Sequence, residues 1–502
     1  MTPLELTVVL GYAALLLVLA AFGAHRFFLT YLFLRHRYKL AAPPRRFREL
    51  PRVTVQLPIF NEKYVVRRLV EAVARLDYPR DRLEIQVLDD STDETRAIAR
   101  GCVDRLGEAG QDIVYVHRAD RRGFKAGALE NGLRTAKGEL IAIFDADFIP
   151  EKDFLSRTVH YFTDPAVGLV QTRWGHLNRS YSALTEAEAV FLDGHFVVEQ
   201  AARNRSGRFF NFNGTAGVWR RKAIQEGGGW EHDTITEDLD LSFRSQLAGY
   251  RFVYLPEVVT PAELPVDMIA FKNQQHRWAK GAIQCAQKLL GRVLRADLPA
   301  RVKGEAVVHL TANLAYLVVI PLAILLPVSV AIRSSHGPYE LVLLDLPLFF
   351  AATGSVVTFY LVSQRAQGYS LWQSLRTLPA VLALGVGLSV NNARAVVEAL
   401  MGQKSAFVRT PKLGVVRRGE RVAGERYRAG ATLQPLVELA LFGYMTYAIV
   451  YLWRKGIYSS LPFLFLFQVG FGSVALLSIW EGIRGRAGRA SKVAEPVAAV
   501  DG

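Results

Sequence analysis

Leu140-Ile141-Ala142-Ile143-Phe144-Asp145-Ala146-Asp147-Phe148 decides the fold class, because an apolar run of strand length ends abruptly in two carboxylates one residue apart. Alternate residues of an extended chain point the same way, so Asp145 and Asp147 offer two hard oxygen donors to one side. That donor type suits Mg²⁺ or Mn²⁺ bridged to phosphate oxygens, although a solvated turn is the commoner meaning of Asp-x-Asp standing alone. Residues 53–58, 84–88 and 113–117 are β-rich runs of the same kind, with helical stretches between them. Strand, helix, strand in this rhythm predicts a mostly parallel α/β sheet with right-handed crossovers. Ligands of such open sheets bind beyond the carboxyl ends of the strands. A second strand ends there in acids too, at Asp89-Asp90-Ser91.

Further along, Thr236-Glu237-Asp238 precedes the amphipathic run 239–247 and reads as a helix start. Acids there complement the helix dipole, and a carboxylate so placed can also serve as a general base. Gln274, Arg277 and Trp278 lie at i, i+3 and i+4, so a helix puts an amide, a guanidinium and an indole on one face. Such a face can hold a diphosphate and stack a sugar ring; an interfacial helix with a snorkelling Arg and an anchoring Trp would look alike. Gly123-Phe124-Lys125-Ala126-Gly127 sets a cation among small residues, for close approach to a nucleotide or simply as a loop-to-helix junction. Residues 211–219 (NFNGTAGVW) line a sugar pocket or make a turn, and His160, His176, His195, His232 and His276 have no zinc-ligand spacing.

The chain has 502 residues, too many for one ordinary domain, and 51% are hydrophobic, which predicts a membrane-embedded part. Two cysteines, Cys102 and Cys285, exclude a disulfide framework and a Cys-rich zinc site. The net charge of +15 is concentrated beside apolar segments, which points to membrane topology and anionic lipid rather than nucleic acid. Residues 4–24 are long enough to span, with no Lys or Arg before them and a basic stretch after them. They read as an uncleaved anchor (1–30) that leaves the next domain, 35–300, cytoplasmic. Residues 306–332, 341–362, 433–453 and 457–480 are also long enough to cross, giving five spans within 1–30 and a membrane region at 301–481. The apolar part of 378–390 is short, and letting it cross would put the basic stretch 404–428 outside, against the positive-inside bias. Residues 371–403 are therefore expected to be interfacial or re-entrant, and the basic tail 482–502 disordered.

Together these residues resemble the signature of the family 2 processive glycosyltransferases, the D, DxD, TED and QxxRW set of cellulose, chitin and hyaluronan synthases. In particular the chain is similar to the cellulose synthase-like A and C group, which makes β-1,4-mannan or glucomannan and β-1,4-glucan. The likeness covers nearly the whole chain and rests on LPIFNE (57–62), QVLDDSTD (86–93), FKAGAL (124–129), IAIFDADF (141–148), FNGTAGVWR (212–220), TEDLDL (236–241) and QQHRW (274–278). It implies a GT-A, Rossmann-like catalytic fold joined to a multi-pass helical membrane domain in the cell membrane. It also implies a hexosyltransferase that inverts a nucleotide sugar, UDP-glucose or GDP-mannose, into a β-linked polymer secreted through its own channel. Asp89 or Asp90 would contact the base and ribose, with Lys125 at the same end. Asp145 and Asp147 would hold Mg²⁺ or Mn²⁺ on the diphosphate, Asp145 thereby binding donor. Asp238 would be the catalytic base, Gln274 and Arg277 would steady the diphosphate, and Glu237 and Trp278 would meet the acceptor, the growing polysaccharide.

Phe407-Val408-Arg409-Thr410-Pro411-Lys412 resembles the gating loop of cellulose synthases, usually written FxVTxK, and lies in the expected lid 404–415. Arg409 stands where that pattern has Val, while Thr410 and Lys412 keep its phosphate contacts. The rival enzyme is a single-transfer relative acting on lipid, similar to ceramide glucosyltransferase, which has less need of a lid that cycles with each addition. An inert membrane scaffold would lack some of these acids, and all are present. Accessory subunits are not legible in the chain.

Overall fold

The computed structural model describes residues 1–336, 345, 347–403, 410, 412–420 and 433–493, the last ten of these by backbone alone. Among the described residues, seven strands, β1 (Val53–Ile59), β2 (Leu83–Asp89), β3 (Ile113–His117), β4 (Leu140–Ile143), β5 (Val167–His176), β6 (Gly217–Arg220) and β7 (Arg251–Ala262), form one sheet in the order β3-β2-β1-β4-β6-β5-β7. The pairs β1–β2, β2–β3, β1–β4 and β5–β7 are parallel, and β6 runs antiparallel to both β4 and β5. The sheet is thus mixed, with a GT-A-type parallel half. From β1 the chain turns outward to β2 and β3, then returns to the other side of β1 as β4. This reversal is a topological switch point, and it opens a crevice beyond the ends of β1 and β4.

The apolar residues of β1 alternate in their packing. Val53, Val55 and Leu57 join Leu69, Val70 and Ala99 beneath one face. On the other face Thr54 and Gln56 are fully buried and meet Glu84 and Gln86 of β2 at 2.5 and 3.0 Å. The Thr54 hydroxyl and the Gln56 amide N–H thereby gain partners, which offsets the cost of burying them. Leu129, Ile141, Ile143 and Trp219 build the second core layer.

Around this sheet lie α1 (Pro3–Arg35), α2 (Val66–Ala74), α3 (Thr95–Glu108), α4 (Phe124–Thr135) and α5 (Ala183–Asp193). A π-helical turn, Gly194–Gln200, carries α5 directly into α6 (Ala201–Arg205). They are followed by α7 (Glu237–Leu247) and the long α8 (Met268–Arg295), which bears Gln274, Arg277 and Trp278. Glu481 accepts from Met268 N at 2.8 Å and Ile269 N at 3.1 Å, and Lys272 pairs with Glu438 at 2.7 Å, so α8 is tied to the C-terminal apolar helices.

Among the described residues, six helices are long and apolar enough to cross a membrane by length and composition: Pro3–Arg35, Ala300–Ser334, Pro347–Ala366, Leu371–Leu400, Gln434–Arg454 and Leu461–Ile483. Five were expected. The additional one is the stretch expected at the interface, where the helix continues past the short apolar run because its polar residues find protein partners. Asn391 donates to Lys272 O at 2.8 Å, and Glu398 pairs with Lys280 at 3.0 Å. Its apolar window is 67% buried, against 28% to 39% in the other five, so it packs among protein rather than facing lipid. The last helix runs on to Val493 through the basic stretch expected to be disordered, where Ala, Arg and Lys favour a helix. Of the expectations above, residues 341–344 and 346, Phe407, Arg409 and the tail from 494 lie outside the described residues.

Candidate active site

A cavity of 220 Å³ opens beyond the ends of β1 and β4, roofed by α8 and by the segment at residues 410 and 412. Asp90, Lys125, Asp145, Asp147, Glu237, Asp238, Gln274, Arg277, Trp278, Thr410 and Lys412 all line it. Residues drawn from six separate stretches of sequence therefore share one chamber.

Asp89 is the exception. Its side chain is fully buried behind the cavity wall, accepting from Ser91 N at 2.8 Å and Tyr115 Oη at 2.6 Å. These contacts brace the turn after β2, and Asp90 is the acid that lines the cavity, held by Arg118 Nε at 2.8 Å. Lys125 enters the cavity from the first turn of α4. Its ammonium pairs with Asp145 and donates to Gly214 O at 2.9 Å. Asp147 pairs with Lys412 Nζ at 2.8 Å, and Arg277 donates to Thr410 at 3.0 Å.

Asp238 lies in the first turn of α7, where Leu239 N donates to its Oδ1 at 2.8 Å. Two close approaches hold that turn in place. A Cβ on Gly281 of α8 would lie 2.4 Å from the Thr236 side chain, so only glycine lets the two helices meet there. Gly214 has φ +80°, and a Cβ on it would lie 3.1 Å from Asp238 Oδ2. Burial first, then the neighbouring Glu237, pushes the Asp238 carboxyl up to about 7, against the opposing pull of Lys125. Burial likewise raises Glu237 and Asp145. Burial works against the charges of Lys125 and Lys412, yet the carboxylates around each outweigh it and raise both.

The chemistry available is a proton acceptor poised near neutrality, a pair of hard carboxylate donors and cationic groups that match a diphosphate. Asp145 and Asp147 fit a divalent cation by donor type and by position at the strand end. A second acidic group, Glu231, Asp233 and Asp240, does not, since Lys288 Nζ fills its centre at 2.5, 2.7 and 3.0 Å.

Sequence reasoning missed several groups. Glu263 accepts from Leu413 N at 2.8 Å and from Gly414 N at 3.1 Å, and its carbonyl takes Lys412 Nζ at 2.6 Å. Glu62, Arg121, Trp174 and Asn213 also line the cavity. Glu62 and Asn213 lie inside motifs already singled out; Glu263 carries no local signal.

Residues 51–281 match the family described as Glycosyltransferase like family 2. The chain is 40% identical over 296 residues to probable glucomannan 4-beta-mannosyltransferase 3 of Oryza sativa subsp. japonica, covering 55% of this chain and 53% of that one. It is 41% identical over 293 residues to glucomannan 4-beta-mannosyltransferase 2 of Arabidopsis thaliana, covering 55% of each. The chain spans about half the length of the curated relatives it matches. In fold it is similar to mannosyltransferase PcManGT from Pyrobaculum calidifontis, solved in complex with GDP-Man and Mn²⁺. That likeness has a TM-score of 0.51 at 22% identity and covers 78% of this chain and 100% of the other.

Proposed function

We propose that residues 51–281 form a family 2 glycosyltransferase domain of the cellulose synthase-like kind, and that the protein polymerises a β-1,4-linked hexose chain from a nucleotide sugar at a membrane. The observation that carries this reading is Asp238. It is a carboxyl raised to about 7 in the same cavity as the Asp145–Asp147 pair and the Gln274, Arg277 and Trp278 face. A general base works best when its pKa lies near the operating pH.

In the reaction proposed, an acceptor hydroxyl attacks the anomeric carbon in line, the bond from that carbon to the diphosphate breaks, and Asp238 takes the hydroxyl proton. Inversion of an α-linked donor gives a β-glycoside without a covalent enzyme intermediate. Asp90 reads the nucleoside end, while Gln274 and Arg277 bind the diphosphate. Trp278 stacks under the acceptor sugar. Asp145 and Asp147 would hold Mg²⁺ or Mn²⁺, whose charge stabilises the leaving diphosphate. Lys125, between Asp145 and Gly214, offsets the repulsion among Asp145, Glu237 and Asp238.

The glucomannan mannosyltransferase relatives favour GDP-mannose over UDP-glucose as donor. The ties from α8 to Glu438 and Glu481 support passage of the product from Trp278 into the helical region. The catalytic domain is cytoplasmic in this reading, the membrane helices meet anionic lipid on that side, and nucleic acid is not a ligand. The test offers purified full-length protein GDP-mannose and UDP-glucose separately, with Mg²⁺ or Mn²⁺, and analyses the linkages formed. A β-1,4-linked hexose polymer from GDP-mannose is expected; a single sugar on lipid would overturn the proposal.

A further inference from the structure

The π-helical turn Gly194–Gln200 carries two side chains that converge on one cavity residue, and a third that holds one of them. A π turn hydrogen-bonds from i to i+5, which brings residues four and five apart onto one side, and such turns gather at functional sites. His195 Nδ1 meets Glu199 Oε2 at 3.0 Å, and His195 Nε2 meets Asn213 Nδ2 at 2.9 Å. Gln200, fully buried, donates to Asn213 Oδ1 at 2.6 Å and to Asn211 O at 2.9 Å.

These contacts fix every proton in the group. The Asn211 carbonyl can only accept, so the Gln200 atom facing it is nitrogen, and the Asn213 atom facing that nitrogen is oxygen. Nδ2 of Asn213 therefore faces His195, which must present a bare Nε2 and carry its proton on Nδ1, toward the Glu199 carboxylate. Glu199 is ionised. Burial opposes its charge, but Arg203, His195 and Arg26 together hold it well below the ordinary carboxylate range. The chain of partners continues through Arg203, 3.3 Å from Glu199 and 2.9 Å from Glu305, to His25 of α1, 3.1 Å from Glu305.

One Asn213 N–H remains, without a partner among the described residues, on a side chain that lines the cavity. The next residue, Gly214, is the one whose Cβ would lie 3.1 Å from Asp238 Oδ2. We propose that Asn213 reads the acceptor sugar beside Asp238, and that His195 and Gln200 are its positioning residues, locking the amide so that an N–H rather than a carbonyl faces the sugar. The lock has a chemical purpose. A hydroxyl can pair with either end of an amide, whereas a ring or glycosidic oxygen has no proton and pairs only with a donor. A fixed N–H thus admits an acetal oxygen of a glycan acceptor, which a carbonyl in the same place would reject. The inference rests on the sugar-transfer reading above.

The experiment measures transfer from the donor that wild-type protein uses to mannotetraose. Hydrolysis of the same donor without acceptor is followed in parallel. His195→Leu and Gln200→Leu should each raise the acceptor KM by roughly 3- to 10-fold, the worth of one neutral hydrogen bond, with the donor KM of hydrolysis unchanged. His195→Gln places an amide oxygen where Nε2 was and should restore the acceptor KM. An unchanged acceptor KM in His195→Leu would overturn the proposal. So would a His195→Gln variant as impaired as His195→Leu, or a parallel loss of donor hydrolysis in all three, which marks a merely structural role. Wild-type protein that transfers no sugar would overturn both this inference and the reading beneath it.

Discussion

Lys412 Nζ lies 2.8 Å from Asp147 Oδ2, so a lysine of the expected lid holds one of the two acids expected to bind metal. Lysine and divalent cation then compete for one carboxylate. Lys412→Ala should lower the metal concentration needed for half-maximal activity while slowing each cycle and raising the donor KM. Asp147→Asn should act in the opposite sense on metal, raising that concentration on the order of 10- to 100-fold. Titration of Mn²⁺ against activity checks both; an unchanged metal curve in Asp147→Asn would make Asp147 structural.

Asp238→Asn keeps the size and hydrogen bonding of the side chain but removes the proton acceptor. Transfer should fall by about 10² to 10⁴ with donor binding retained. With its carboxyl raised to about 7 by burial and Glu237, Asp238 is mostly protonated below that pH and unable to act as base. The transfer rate should therefore rise with pH through about 7 and level off above it. A rate flat from pH 5.5 to pH 8, or Asp238→Asn turning over like wild type, would remove Asp238 from the chemistry.

Glu263 fastens residues 412–414 through its carboxylate and its carbonyl. Glu263→Leu keeps the carbonyl and loses the carboxylate, leaving Leu413 N and Gly414 N unpaired. The donor KM should rise severalfold, and trypsin should cut faster at the exposed Arg417 and Arg418. Equal cutting rates in variant and wild type would mean that Glu263 does not secure this segment.

Topology can be read with cysteines placed at Lys137, Gln403 and Ser459, since native Cys102 and Cys285 are both buried. A membrane-impermeant maleimide applied outside should label Ser459→Cys and spare the other two. Labelling at Gln403→Cys would mean that Leu371–Leu400 crosses the membrane.

The first four strands were legible because each is an apolar run that ends in polar residues, and the acids at two of those ends already mark the crevice. Gly217–Arg220 was not legible. It sits within a stretch read as a pocket loop or turn, and only its distant partners Leu140–Ile143 and Val167–His176 make it a strand. The helical length of 371–400 was hidden for a related reason, since the partners of Asn391 and Glu398 are Lys272 and Lys280, more than a hundred residues away. In the site, spacing found the carboxylates but could not separate Asp89 from Asp90, because the difference lies in Tyr115 and Arg118 from other segments. Glu263 and the His195–Asn213 contact depend on pairings across long separations in sequence, where periodicity carries no information.

The central claim is that this cavity extends a chain rather than making a single transfer, and Trp278 tests it most directly. An aromatic face holds sugar C–H surfaces without demanding one pattern of hydroxyls, so it can keep a growing end in place through successive additions. Membranes carrying wild-type protein or Trp278→Ala are given radiolabelled nucleotide sugar, and polymer and released nucleoside diphosphate are measured separately. Wild type should yield long alkali-resistant chains, while Trp278→Ala releases diphosphate by hydrolysis and makes no polymer. Long chains formed by Trp278→Ala at the wild-type rate would contradict the account.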